Sequence, residues 1–371
     1  MKNYQKFVLC LGLLFCFGFS DKPLPTLKKV FKKEFHIAVA INRREANGTD
    51  VKGQAIIAEQ FNCISPENDL KWSMINPQPG VFNWKPADDY VNFGLKNKMF
   101  IVGHCLIWHS QVPNWVFTDD KGAPVTREVL LKRMKDHIDT VVGRYKGKIN
   151  GWDVVNEAFN EDGTFRKSKW HEIIGDDFIE KAFEYAHAAD PKLELYYNEY
   201  NLYNPAKRAG VLRLVKSLKD KNIPITAVGE QGHYSLLDPK IDQVEAVITD
   251  FEKAGVKVNF TELDVSALPN RTRRLTAETS TTATYDTSLD PYKNGLPDSV
   301  MNQLAKRYGD LFTVFHKHKG EVTRVTFWGL TDADTWLNNF PIRGRTNYPL
   351  LYDRNSEPKL PVIEAIINAV K

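Results

Sequence analysis

Trp152-Asp153-Val154-Val155-Asn156-Glu157-Ala158, taken with Thr261-Glu262-Leu263-Asp264-Val265, decides how this chain is read. Each belongs to a short β-branched run with a carboxylate at or near its end. Val and aromatic residues fill a pleated, half-buried strand surface, whereas a Glu at the tip of such a strand is unfavourable unless something uses it. Working outward, the same kind of run recurs at His36–Ile41, Gln60–Ile64, Met99–Leu106, Ile149–Asn156, Leu193–Asn198, Ile225–Gln231, Val256–Leu263 and Thr323–Leu330. Between these runs lie helix-period patterns, with apolar residues three to four apart as one helix face requires. Examples are Leu130, Met134, Ile138, Val141, Tyr145, then Val211, Leu214, Leu218, then Ile241, Val244, Ile248, Phe251, and then Tyr308, Leu311, Phe315. A last helix is expected to open at Pro358 and to carry Val362, Ile363, Ile366, Ile367 and Val370, since proline suits a first turn. Eight strand–helix units predict an α/β fold, a (β/α)8 TIM barrel closed by right-handed crossovers.

Composition agrees with one such barrel. The chain has 371 residues, 42% hydrophobic and 26% charged, and barrels of this type reach that length as a single domain. Lys2 and Lys6 precede an uncharged run from Phe7 to Phe19, with small residues at Gly18 and Ser20 before Asp21. That pattern predicts an export signal over 1–20, too short an apolar run for a membrane span, and a catalytic barrel over 21–371. An exported protein is therefore expected, whether secreted, periplasmic or held at the cell surface. Cys10 and Cys16 fall in that leader, which leaves Cys63 and Cys105 in apolar segments and no disulfide framework. The net charge of +4 offers no reason to expect nucleic acid or an anionic membrane as partner. A monomer is expected. One irregular stretch, Leu268–Pro297, follows a strand end and so belongs on the catalytic face.

Catalytic groups of these barrels gather at the C-terminal ends of the strands. Seven of the eight expected strands end in polar or aromatic residues: Glu67, Asn68 and Lys71; His104 and Trp108; Asn156 and Glu157; Asn198 and Tyr200; Gln231 and His233; Glu262 and Asp264; Trp328, with Trp336 in its loop. Any one of these alone is more simply surface polarity or packing; together they describe a rim. The tryptophans Trp72, Trp84, Trp115, Trp152 and Trp170 are read as packing. His104 and His109, five apart, do not match zinc spacing, and there is no Gly-x-Ser-x-Gly elbow or phosphate-binding glycine loop. No metal and no cofactor are expected. Two Glu residues on separate strands are what double-displacement cleavage of a glycoside needs, one proton donor and one nucleophile.

The motifs Glu67-Asn68-Asp69-Leu70-Lys71-Trp72, Gly103-His104-Cys105-Leu106-Ile107-Trp108-His109-Ser110-Gln111-Val112-Pro113-Asn114-Trp115, Trp152-Asp153-Val154-Val155-Asn156-Glu157, Tyr197-Asn198-Glu199-Tyr200-Asn201, Gly229-Glu230-Gln231-Gly232-His233, Thr261-Glu262-Leu263-Asp264 and Trp328-Gly329-Leu330-Thr331-Asp332 occur in order. Together they resemble glycoside hydrolase family ten, the retaining endo-β-1,4-xylanases. The resemblance implies hydrolysis of internal bonds of xylan and xylooligosaccharides, with Glu157 as acid/base and Glu262 as nucleophile. It implies supporting roles for Asn156, His233 and Asp264, with His233 hydrogen-bonded to Glu262. It also implies sugar contacts from Glu67, Asn68, Lys71, His104, Trp108, Gln231, Trp328 and Trp336. Asn198 and Tyr200 join the sugar-contact group as polar strand-end residues, Tyr200 as a stacking platform on the aglycone side. Two positions depart from the pattern: Cys105, where the family often has Thr, and Glu230, which the period of two should turn away from the site. A retaining β-1,4-glucanase, a mixed xylanase/glucanase and a catalytically inactive carbohydrate-binding barrel remain the alternatives.

Overall fold

The computed structural model describes residues 24–269 and 287–371. The expected export signal, Cys10, Cys16 and residues 270–286 of the long loop lie outside the described residues. Among the described residues nine strands appear: β1 (His36–Ile41), β2 (Cys63–Pro66), β3 (Phe100–Trp108), β4 (Gly151–Asn156), β5 (Glu194–Glu199), β6 (Ala227–Glu230), β7 (His233–Ser235), β8 (Lys257–Ser266) and β9 (Val322–Phe327). Eight of them close a parallel barrel. Neighbours pair in chain order from β1 to β6, then β6 with β8, β8 with β9, and β9 back to β1. The ninth, β7, is a three-residue annex on the outer half of β8, pairing His233 with Asp264. No sequence pattern announced it, because it begins only three residues after β6 ends.

Two expected boundaries move. The run expected over Gln60–Ile64 divides between the end of a helix, Val51–Gln60, and β2, which starts at Cys63. The terminal helix runs Leu360–Asn368, with Pro361 in its first turn in place of Pro358. Pro358 instead belongs to a bridge with Tyr352.

Alternation along each strand divides the interior into two packed regions. The outer face of the barrel packs on the surrounding helices through residues such as Ile37, Val39, Ile101, Val154 and Val258. Trp152, Trp170 and Trp72 are buried there, and Trp84 and Trp115 pack against it. Ala38, Cys63, Val102, Tyr196 and Ala227 form a second cluster. These residues occupy the alternate strand positions, so they fill the barrel's own interior. Beside them sits a buried cluster of titratable and charged side chains. His104 Nδ1 lies 2.9 Å from Asp153 Oδ2, and the Arg324 guanidinium lies 5.0 Å from the Tyr196 ring and 4.0 Å from Asp153 Oδ1. Cys63 and Cys105 are buried free thiols.

Register breaks fall between His104 and Ile107 on β3, Asp153 and Val155 on β4, and Phe260 and Leu263 on β8. Such irregularities re-aim side chains, and here they lie just below or at the strand ends that carry the polar rim.

Candidate active site

Glu157 follows the last residue of β4 and takes a left-handed conformation, φ 57°, uncommon for a residue with a side chain and a kind of strain that clusters at functional sites. Its surroundings hold it there. The Glu157 N–H donates to the Asn198 carbonyl at 2.9 Å, and the next N–H, of Ala158, donates to the Tyr197 hydroxyl at 2.9 Å. The carboxylate accepts from Trp108 Nε1 at 2.9 Å and from Gln231 Nε2 at 2.8 Å. Glu157 is thus gripped at both ends, by strand β5 below and side chains above.

Glu262 sits at the β8 register break and is almost wholly buried. Asn198 Nδ2 donates to one carboxylate oxygen at 2.9 Å, and His233 Nε2 approaches the other at 3.2 Å. His233 Nδ1 lies 3.0 Å from Asp264 Oδ2, which also accepts from Trp336 Nε1 at 2.8 Å. The β7–β8 register produces this chain by setting His233 directly opposite Asp264. Each imidazole nitrogen faces a carboxylate, so both donate only when the ring carries its second proton. Burial opposes that charge, but Asp264 and Glu262 outweigh it and push His233 up to about 10. Burial likewise opposes ionisation of Glu262. The His233 hydrogen bond and the electrostatic influence of His104, His233 and Lys71 overcome it, and the carboxyl falls below its ordinary value.

Asn198, expected to touch sugar, lies one layer lower. It is fully buried and does not line the cleft. Its amide joins the two sides of the site: Nδ2 reaches Asn156 Oδ1 and Glu262 at 2.9 Å each, while Oδ1 accepts from the Thr261 hydroxyl at 2.6 Å. This geometry makes it a holder of Glu262. Glycine at 229 makes room for it, because a Cβ there would lie 2.3 Å from Asn198 Oδ1. Glu230 turns away from the cleft, as strand alternation requires. Buried, its carboxyl is pushed up to about 7 and accepts from the N–H groups of Leu202 and Gly232.

All the other expected residues line one cleft of about 1260 Å³ over the C-terminal ends of the strands. That exceeds the usual small-molecule pocket of about 300–1,000 Å³ and suits several sugar units in a row. On one side Lys71 Nζ donates to Asn68 Oδ1 at 3.1 Å and stands 4.9 Å from the centre of the Trp108 ring. Burial lowers the Lys71 pKa and raises that of Glu67 to about 7. Trp328 meets the His104 ring edge-on at 5.5 Å, and Trp336 stacks on Phe340 at 5.2 Å. Further lining comes from Gln111, Glu161, Tyr203, Tyr292, Phe340 and Arg345, which the sequence reading passed over. These stand in loops, where no periodicity marks which side chain turns inward. Leu268, Pro269, Pro291 and Tyr292 also line the cleft, so the described ends of the long loop do reach the catalytic face. Among the described residues no helix is long and apolar enough to cross a membrane.

Comparison with known proteins places this geometry in context. The profile described as Glycosyl hydrolase family 10 matches residues 26–369. The chain is 45% identical over 360 residues to endo-1,4-beta-xylanase A of Xylanibacter ruminicola, covering 95% of this chain and 97% of that protein. It is 39% identical to a beta-1,4-xylanase of Dictyoglomus thermophilum, covering 96% and 97% of the two. Among solved structures, a GH10 endoxylanase retrieved from a sugarcane soil metagenome superposes with a TM-score of 0.89 at 46% identity, covering 92% of this chain and 99% of that one.

Proposed function

Because this chain belongs to glycosyl hydrolase family 10, we propose that it is a retaining endo-1,4-β-xylanase in which Glu157 is the acid/base and Glu262 the nucleophile. The observation that carries this reading is the unequal treatment of two buried carboxylates in one cleft. Glu262, which burial alone would push up, is kept ionised chiefly by His233 and also accepts from Asn198, while Glu157 accepts from neutral donors, Trp108 and Gln231.

In the first step Glu157 gives its proton to the glycosidic oxygen as that bond breaks, and a Glu262 oxygen forms a bond to the anomeric carbon. The ionised Glu157 then takes a proton from water, whose oxygen displaces Glu262 and restores the original anomeric configuration. Asn156 bonds the sugar 2-hydroxyl, an interaction that tightens as the ring flattens toward the oxocarbenium-like state. Glu67, Asn68 and Lys71 bind glycone hydroxyls by charge-assisted hydrogen bonds. Trp328 and Trp336 fill the space that a hydroxymethyl arm would need, which disfavours glucose units. Tyr200 stacks under the first aglycone sugar. Residues 1–20 act as a cleaved export signal, and the barrel over 21–371 works as a monomer on xylan, with no nucleic-acid partner.

Product analysis tests the reading. Equal reducing-end assays on xylan, cellulose and mixed-linkage β-glucan should show release from xylan far ahead of the others. Comparable release from β-glucan would make the protein a mixed glucanase, and no release from any would leave a binding barrel. N-terminal sequencing of the exported protein should begin at Asp21.

A further inference from the structure

Arg166 has no part in the chemistry above, yet it touches two residues that do. The chain leaves Glu157 into a short hairpin in which Phe159 bridges Phe165, and the Arg166 N–H donates to the Ala158 carbonyl at 2.7 Å. The hairpin therefore returns Arg166 to the side of Glu157. Its guanidinium then forks: Nε donates to the Glu157 carbonyl at 3.1 Å, and Nη2 donates to the Tyr200 hydroxyl at 2.9 Å. Tyr200 is fixed a second time by fully buried Lys207, whose Nζ sits 3.1 Å from the ring centre and 2.8 Å from Glu199 Oε1. The same Glu199 accepts from the Phe159 N–H at 3.1 Å. The segment that carries Glu157 and the ring that lines the cleft are thus tied to common groups, half-buried Arg166 and buried Glu199.

We propose that Arg166 is a positioning residue that sets the Glu157 main chain in register with the aglycone sugar resting on Tyr200. This rests on the reading of Glu157 as general acid and Tyr200 as aglycone platform. A planar guanidinium holds two acceptors at fixed separation, which an ammonium on a flexible stem does not. Displacing a catalytic group by about 1 Å from its reacting atom costs on the order of a hundredfold in rate. The tie matters most when the leaving group is a sugar seated on Tyr200 and the acid must meet its oxygen. A small leaving group that needs little protonation escapes the requirement.

The test compares kcat/KM on xylotetraose with that on β-xylobiosyl fluoride, whose leaving group never reaches Tyr200. In Arg166→Met the ratio of the two should fall about tenfold or more, the scale of one lost charge-assisted hydrogen bond. Arg166→Lys, which keeps the charge and the stem, should keep the fold and still lower the ratio. Tyr200→Phe should lower it less, since the tie to Glu157 remains, and the Arg166→Met/Tyr200→Phe double variant should fall no further than Arg166→Met, as for residues acting through one contact. An equal fall on both substrates, an unchanged ratio, or additive losses in the double variant would overturn the coupling. Inactivity of the unmodified protein on both substrates would instead overturn the xylanase reading, and the coupling with it.

Discussion

At the scale of single residues, the site works by giving two glutamates different company. In the proposed mechanism, Glu262→Ala removes the nucleophile and should abolish turnover on every glycoside. Glu157→Ala should cost about 10²–10⁴-fold on xylan, the usual worth of a general acid. It should spare the first step with activated leaving groups and slow the second, visible as a burst in stopped-flow release of nitrophenol. Equal losses on natural and activated substrates would contradict the division of roles. In the proposed mechanism His233 sets the acidic limb of the rate profile. It lowers the Glu262 pKa by its hydrogen bond and its charge, so in His233→Ala that pKa must rise and the acidic limb must move to higher pH. The rate should fall about tenfold, one charge-assisted hydrogen bond, with xylooligosaccharide affinity by calorimetry little changed. A mutant that keeps its acidic limb while binding weakens would make His233 a sugar contact instead.

At the scale of elements, most of the architecture was legible because strand and helix periods differ and the strands end in residues that neither period explains. The eight barrel strands all lie on or beside the expected runs. The uncertain places were those where local pattern carries no direction. No Gly or Pro marks a stop between Ile57 and Ile64, so the helix end and β2 are not separable by local pattern in the sequence. The annex β7 spans only three residues, yet it aligns His233 with Asp264. Asn198 reads as a polar strand end, but depth along the barrel axis is not written in a sequence, and the structure sets it beneath Glu262. Arg166 and Lys207 give no signal in the sequence, because Arg166 reaches its partners from a hairpin loop and Lys207 reaches back from the start of the helix that follows β5. Gly229 shows how closely neighbouring strands fit. A methyl group at this position would meet Asn198 Oδ1 at 2.3 Å, and overpacking of this kind costs about 1–3 kcal/mol. Gly229→Ala should therefore lower thermal stability by several degrees and reduce kcat more than it raises KM, since Asn198 positions the nucleophile. Unchanged kcat in a folded Gly229→Ala protein would show that Asn198 is not needed there.

At the scale of the whole molecule, the barrel buries acids whose pKa values rise. Burial pushes Glu45 up to about 8 and Glu67 and Glu230 up to about 7, while Asp264 and Glu262 hold His233, against its burial, at about 10. Each folded value lies above that of the unfolded chain, roughly 4.3 for Glu and 6.5 for His. The folded state therefore binds these protons more tightly, and the associated stability is lost as pH rises through the folded values. His137, lowered to about 3 by burial, acts with the opposite sign, but only below roughly 6.5, its unfolded value. The melting temperature should thus decline as pH is raised from about 6 to 8, across the window set by Glu45, Glu67 and Glu230; a flat or rising trace in scanning calorimetry would contradict the burial argument. The central claim, retention through a covalent bond to Glu262, is tested most directly by trapping. Incubation with a 2-deoxy-2-fluoro-β-xylobioside carrying a dinitrophenyl leaving group should inactivate the enzyme and leave one fluoroxylobiosyl group on the proteolytic peptide containing Glu262. A label on Glu157 or on any other carboxylate would contradict the account.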